Sequence, residues 1–207
     1  MSYQLSLLDQ SPVDEGQTPQ AALAATLAFA RTAERLGYHR LWVSEHHDNE
    51  RLAGSSPEVL IAWLLAHTSR LRIGSGGVML QHYSPYKVAE NFHLLASLAT
   101  GRVDLGVGKA PGGLPLSTKA LQGELAGQKD FPALLAQLTR YLDAVTEPAS
   151  GEAARALPAP SHSPSRFLLG ASAESARLAA HLGWNFVYAG FINASEQAMR
   201  EAVLTFH

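Results

Sequence analysis

The sequence contains no cysteine. That removes disulfides and thiolate metal sites from consideration and fits a reducing compartment. It has no long hydrophobic run. The longest, from Val59 to Ala66, is far too short to span a bilayer. Charge of either sign is in small surplus, with a formal net charge of −2, so nothing electrostatic points to nucleic acid or to an acidic membrane. No basic leader precedes an apolar stretch, because the apolar start stops at Asp9. HExxH, GxGxxG and the Walker lysine pattern are all missing. These absences lead us to expect a soluble cytoplasmic protein with no nucleic-acid or membrane partner.

What is present is an alternation. At 207 residues, with 46% hydrophobic and 16% charged positions, the chain can bury one sizeable core. Short apolar strands are expected over Tyr3 to Leu8, Arg40 to Ser44, Leu71 to Ser75, Val103 to Val107, Arg166 to Leu169 and Asn185 to Ala189. Helices separate them. Thr18-Pro19, Ser56-Pro57 and Ser84-Pro85 open three, Phe131 to Val145 forms a fourth, and Ser172 caps a fifth. Asn193 with Glu196 reads as a capping box for the last. The strands are too apolar to alternate, which argues for a parallel sheet covered on both faces. A Gly/Pro-rich loop is expected after Val107, and Pro148 to Pro164 reads as a flexible connection away from the strand C-termini. Six βα units fit an α/β fold. An eight-unit barrel takes about 250 residues, so length alone favours an open doubly wound sheet.

In a parallel α/β fold the C-terminal ends of the strands form the mouth of the site. Four segments there carry usable chemistry. Glu45-His46-His47 offers an imidazole for acid–base work, with two surface histidines and a metal site as the other readings. No second metal ligand has convincing spacing, so no metal is expected. Gly74-Ser75-Gly76-Gly77 either lets a flat ligand approach the backbone or bends the strand. Gly108-Lys109 either holds an anion as a point charge or is a solvated lysine. Ala173-Glu174-Ser175 stands at a helix start, where free N–H groups and the helix dipole attract anions, unless Ser172 simply caps the helix. The three tryptophans read as core residues.

The stretches Ser6 to Pro12, Leu41 to His47, Ile73 to Leu80, Gly101 to Gly108 and Leu168 to Ser175 together resemble the bacterial luciferase-like flavin monooxygenases, in order and over nearly the whole chain. The resemblance implies a single barrel domain over residues 1–207, of the TIM-type (β/α)8 class. That replaces the open sheet preferred on length. It implies FMN, used as reduced FMN from a separate flavin reductase, or else a deazaflavin coenzyme. It implies His46 as the catalytic acid/base group. Ser75, Gly76 and Gly77 would lie at the flavin, with a non-prolyl cis peptide between the two glycines. Lys109, Glu174 and Ser175 would lie at its phosphate. Reduced flavin with O2 would then oxygenate a small organic, aldehyde-like substrate, the loop Ala110 to Lys129 shaping the substrate pocket.

Members of that family continue further, so about two βα units are expected to be missing. A truncated or frameshifted product, completion by another chain or by a homo-oligomer, and a naturally shortened relative all fit. A non-catalytic flavin-binding homologue and a deazaflavin-dependent oxidoreductase are the alternative functions.

Overall fold

The computed structural model describes residues 3–109, 113–123, 130–144 and 154–207. Six parallel strands form its backbone: β1 (Ser6–Asp9), β2 (Arg40–Val43), β3 (Arg72–Ser75), β5 (Val103–Gly108), β6 (Ser165–Gly170) and β7 (Asn185–Tyr188). Their spatial order is their chain order. A doubly wound sheet reverses direction partway; this one does not, so it is wound as a barrel wall is. The two-residue β4 (Val78–Met79) continues β3 beyond the glycine pair and adds to β5. β1 and β7 are each paired on one side.

The wall is curled. β2 and β6 stand three places apart, about 14 Å in a flat sheet. Yet the rings of Trp42 and Phe167 have centroids 4.9 Å apart. Side chains from these strands meet only if the sheet bends around its inner face.

Alternation within each strand divides the two faces. Leu41, Val43, Ile73, Leu105, Val107 and Leu168 point outward into the main core, where they meet the helices. Trp42, Gly74, Gly76, Asp104, Gly106 and Phe167 have the opposite parity and line the concave side.

In α1 (Pro19–Arg35) a cap and apolar spacing agree. The Thr18 side chain accepts the Ala21 N–H and proline occupies the first turn. Its buried residues Ala22, Thr26, Ala30 and Ala33 recur at helical spacing. Gly37, at φ +78°, ends the segment in a conformation costly for other residues. In α2 (Pro57–Ala66) and α3 (Pro85–Leu98) the apolar faces are broader and more deeply buried. α4 (Pro115–Gln122) buries nothing, α5 (Phe131–Asp143) seats Leu135, Leu138 and Leu142 in the core, and α6 (Ala173–His181) and α7 (Glu196–Phe206) close the series.

Three expectations are corrected. The region after β5 holds α4 where an unbroken loop was expected; an exposed helix has no apolar stripe to announce it. The last helix is capped by Ser195, whose side chain accepts the Ala198 N–H, while Asn193 instead accepts the Ser195 N–H. Of the segment taken as a flexible connection, residues 154–164 pack on α3: the Tyr86 hydroxyl donates to the Arg155 carbonyl and His93 Nδ1 to that of Ala156, itself fully buried. Residues 148–153 of it, and 110–112 and 124–129 of the pocket loop, lie outside the described residues. No described helix is long and apolar enough to cross a membrane.

Candidate active site

A cavity of about 340 Å³ opens at the C-terminal ends of the strands, within the range of small-molecule sites. β2 delivers Ser44 and His46, the β3–β4 junction Gly76 and Gly77, β5 Gly108 and Lys109, and β6 with α6 delivers Gly170 and Ser175. Parallel pairing in chain order makes this convergence unavoidable, since every strand ends on the same rim.

Of the sequence-derived candidates, His46, Gly76, Gly77, Lys109 and Ser175 line this one cavity. Ser75 and Glu174 do not. Ser75 is fully buried, and its Oγ both donates to the Gly106 carbonyl and accepts the Gly106 N–H, at 2.8 and 3.0 Å. That hydroxyl ties β3 to β5 from the outward-facing side. The Glu174 side chain, on the first turn of α6, is exposed.

The floor is flat and bare. The Gly76–Gly77 peptide is cis. A Cβ on Gly76 would stand 2.8 Å from Leu8 Cδ1 and 3.1 Å from Trp42 Cβ, so the neighbouring strands leave no room for a side chain. Leu8, Met79 and Leu169 add apolar surface, and Phe191 and Ile192 stand beyond β7. At the opposite end the cavity turns polar. A Cβ on Gly170 would fall 2.6 Å from Ser175 Oγ, so glycine there lets α6 approach the tip of β6. Ser172 Oγ accepts the Ser175 N–H at 3.2 Å, while the earlier first-turn N–H groups have no intrahelical acceptor. Lys109 lies on the same cavity.

His46 is half-buried. Its backbone N–H donates to the Gly54 carbonyl at 2.8 Å and its Nδ1 lies 3.0 Å from Ser44 Oγ. Burial pushes the imidazole below the usual histidine range, and the neighbouring His47 adds to this. Both effects favour the neutral ring.

Glu45 anchors this loop from behind. Its buried carboxylate accepts from His47 Nε2 at 2.8 Å, the Tyr83 hydroxyl at 2.9 Å and the Met79 N–H at 3.0 Å. Burial raises its pKa despite these donors, and burial beside Glu45 raises that of Tyr83. Glu45 thus links the His46 loop to the residue following the glycine floor. Among the described residues, Glu45, His47 and His82 form the one grouping with three ligand-type atoms, within 4.8 Å of one another. The Glu45 oxygens in it accept from three donors, His47 among them. Sequence inspection missed Met79, His82 and Tyr83 here, because nothing in a linear pattern shows that the turn after β4 folds back onto Glu45.

The shape suits a planar, apolar ring system carrying an anionic tail. A bare floor with apolar flanks would receive the ring, and the lysine and helix start the anion.

Comparison with known proteins agrees. The model of the luciferase-like monooxygenase family matches residues 1–205. The N-acetyl-S-alkylcysteine monooxygenase of Bacillus subtilis is 52% identical over 200 residues, 96% of this chain and 60% of that protein. The crystal structure of apo-MsnO8 superimposes with a TM-score of 0.88 at 44% identity, over 98% of this chain and 60% of that one. The oxygenating constituent of 3,6-diketocamphane monooxygenase from a Pseudomonas putida plasmid, solved with FMN, shares the fold (TM-score 0.77, 18% identity, 100% and 63% coverage). The chain spans about 60% of the length of the relatives it matches, and its six strands correspond to part of a TIM-type barrel. On the strength of the family match and the close relatives, the chain belongs to the luciferase-like monooxygenase family.

Proposed function

We propose that this chain forms the flavin-binding rim of an FMN-dependent monooxygenase, one that uses reduced FMN and O2 to oxygenate a small organic substrate. The observation that carries the reading is the single cavity shared by His46, the Gly76–Gly77 floor, Lys109 and Ser175.

Reduced FMN, when bound, supplies the electrons that activate O2 for transfer of one oxygen atom to the substrate. The protein does the remaining work. Gly76 and Gly77 let the backbone approach a flat ring. Leu8, Met79 and Leu169 exclude water from its neighbourhood, which strengthens every polar interaction inside. Lys109 and the start of α6 bind the phosphate through charge and N–H donors. His46, neutral and half-buried, holds or moves a proton beside the ring. A flavin reductase supplies the reduced cofactor in the cytoplasm.

Titration of FMN with the purified protein tests the first half of this, with quenching of flavin fluorescence as the expected result. Substrate-dependent O2 consumption with reduced FMN tests the second. Binding without turnover on any organic substrate identifies a non-catalytic flavin carrier. Anaerobic substrate reduction by reduced deazaflavin identifies a hydride-transfer enzyme. No binding of either cofactor overturns the reading.

A further inference from the structure

We propose that Ser44 is a positioning residue that holds His46 as the Nε2–H tautomer, making the imidazole a hydrogen-bond donor to the cavity. This rests on His46 being the acid/base group of the reading above.

Ser44 lies directly beyond β2 and is 5% exposed. Its Oγ is 3.0 Å from His46 Nδ1. The Gly54 carbonyl accepts the His46 backbone N–H at 2.8 Å, so the two residues are held in register. A hydroxyl has one proton to give, and a neutral imidazole carries a proton on one nitrogen only. Among the described residues, His46 Nδ1 is the sole hydrogen-bond partner of the Ser44 hydroxyl.

Two arrangements are possible. If Nδ1–H donated to Ser44, the hydroxyl proton would have no acceptor among the described residues, which is unfavourable for a group this buried. If Ser44 donates to Nδ1, both groups are satisfied. The neutral ring then keeps its proton on Nε2. That nitrogen has no hydrogen-bond partner among the described residues, and the ring lines the cavity. Burial favours the uncharged imidazole, so a single tautomer decides what it presents. In this state the ring presents a hydrogen-bond donor, not an acceptor, to whatever occupies the cavity.

The state of each ring nitrogen is read directly from 15N chemical shifts of histidine-labelled protein at neutral pH, without cofactor. Signals of His46 are those lost in His46→Gln. The expected result is a protonated, pyrrole-type Nε2 and a bare, pyridine-type Nδ1. In Ser44→Ala the Nδ1–H share should rise at least severalfold, and Ser44→Thr should restore the original pattern. An Nδ1–H ring in the unaltered protein overturns the proposal, and this arm needs no variant to fold. Unchanged shifts in folded Ser44→Ala overturn it as well. Because the readout needs neither flavin nor turnover, its failure is separate from a failure of the monooxygenase reading.

Discussion

The two ends of the sheet carry similar polar residues and treat them in opposite ways. At the strand N-termini, Asp104 is fully buried and accepts from Trp42 Nε1 at 3.0 Å and Arg72 Nε at 2.9 Å, with Arg40 3.4 Å away. The Arg40 guanidinium also lies 4.8 Å from the Phe167 ring centroid, in cation–π range. Nearby, Glu34 accepts three successive N–H groups from Ser69 to Leu71, and Arg102 reaches the carbonyls of Thr68 and Leu71. These groups are spent largely on one another. At the C-terminal rim, His46, Lys109 and the start of α6 face a cavity. Polar groups satisfied internally hold a fold together, and those aimed into space are available to a ligand. This is the division of labour expected between the two faces of a barrel.

The sharpest way to break this contrast is to damage the N-terminal end. Asp104→Ala leaves Arg40 and Arg72 without their shared carboxylate and removes the acceptor of Trp42. Breaking a buried pair costs about 3–5 kcal/mol, so the urea midpoint should fall steeply, while FMN affinity of the remaining folded protein stays close to that of the parent. A larger loss of affinity than of stability would show that the ends are not separable.

The converse change is His46→Ala. With no buried pair broken, stability should change little, while turnover should fall about a hundredfold, the usual worth of a placed acid or base. Normal O2 consumption in the variant would remove His46 from the chemistry.

A smaller effect is expected at the anion end. Lys109→Ala should weaken FMN about tenfold, equivalent to about 1.4 kcal/mol, and reduce the salt dependence of binding measured by fluorescence quenching. Riboflavin, which lacks the phosphate, should bind both proteins alike. A Lys109→Ala loss equal for both ligands would place the lysine elsewhere.

The smallest expected effect is in the pH profile. Burial lowers the pKa of His46 and of the fully buried His93 below the ordinary 6.5. Between the folded and unfolded values, the unfolded chain binds more protons than the native one. Stability should therefore rise with pH through that window and fall on acidification below about 6.5. His93→Gln should flatten part of this slope in equilibrium unfolding series, and an unaltered slope in both histidine variants would assign the pH dependence to other groups.

The path from sequence to site was uneven for physical reasons. All six long strands were legible, because each centres on a short run of mostly apolar residues bounded by turn residues, although only β2, β3 and β5 are largely buried along their length. β4 was not, since two residues carry no period. Four rim segments were found by position alone: once the strands are parallel, their ends share a rim. Within those segments, direction mattered more than neighbourhood. Ser75 adjoins Gly76, yet the period of two turns its side chain away from the concave face. Glu174 adjoins Ser175, yet the helical turn of about 100° per residue sends its side chain to solvent. Ser44 stands two residues from His46, and only folded coordinates bring its hydroxyl to the ring.

The linear order of residues determined the parallel strands, most of the covering helices and the rim on which the chemistry-bearing loops lie, because local propensity and hydrophobic period act over a few residues. Curvature of the wall, the return of the β4 turn onto Glu45, and the choice between a cavity-facing and an internally spent side chain were decided by packing. Those depend on distances between segments far apart in the chain, and no window of sequence contains them.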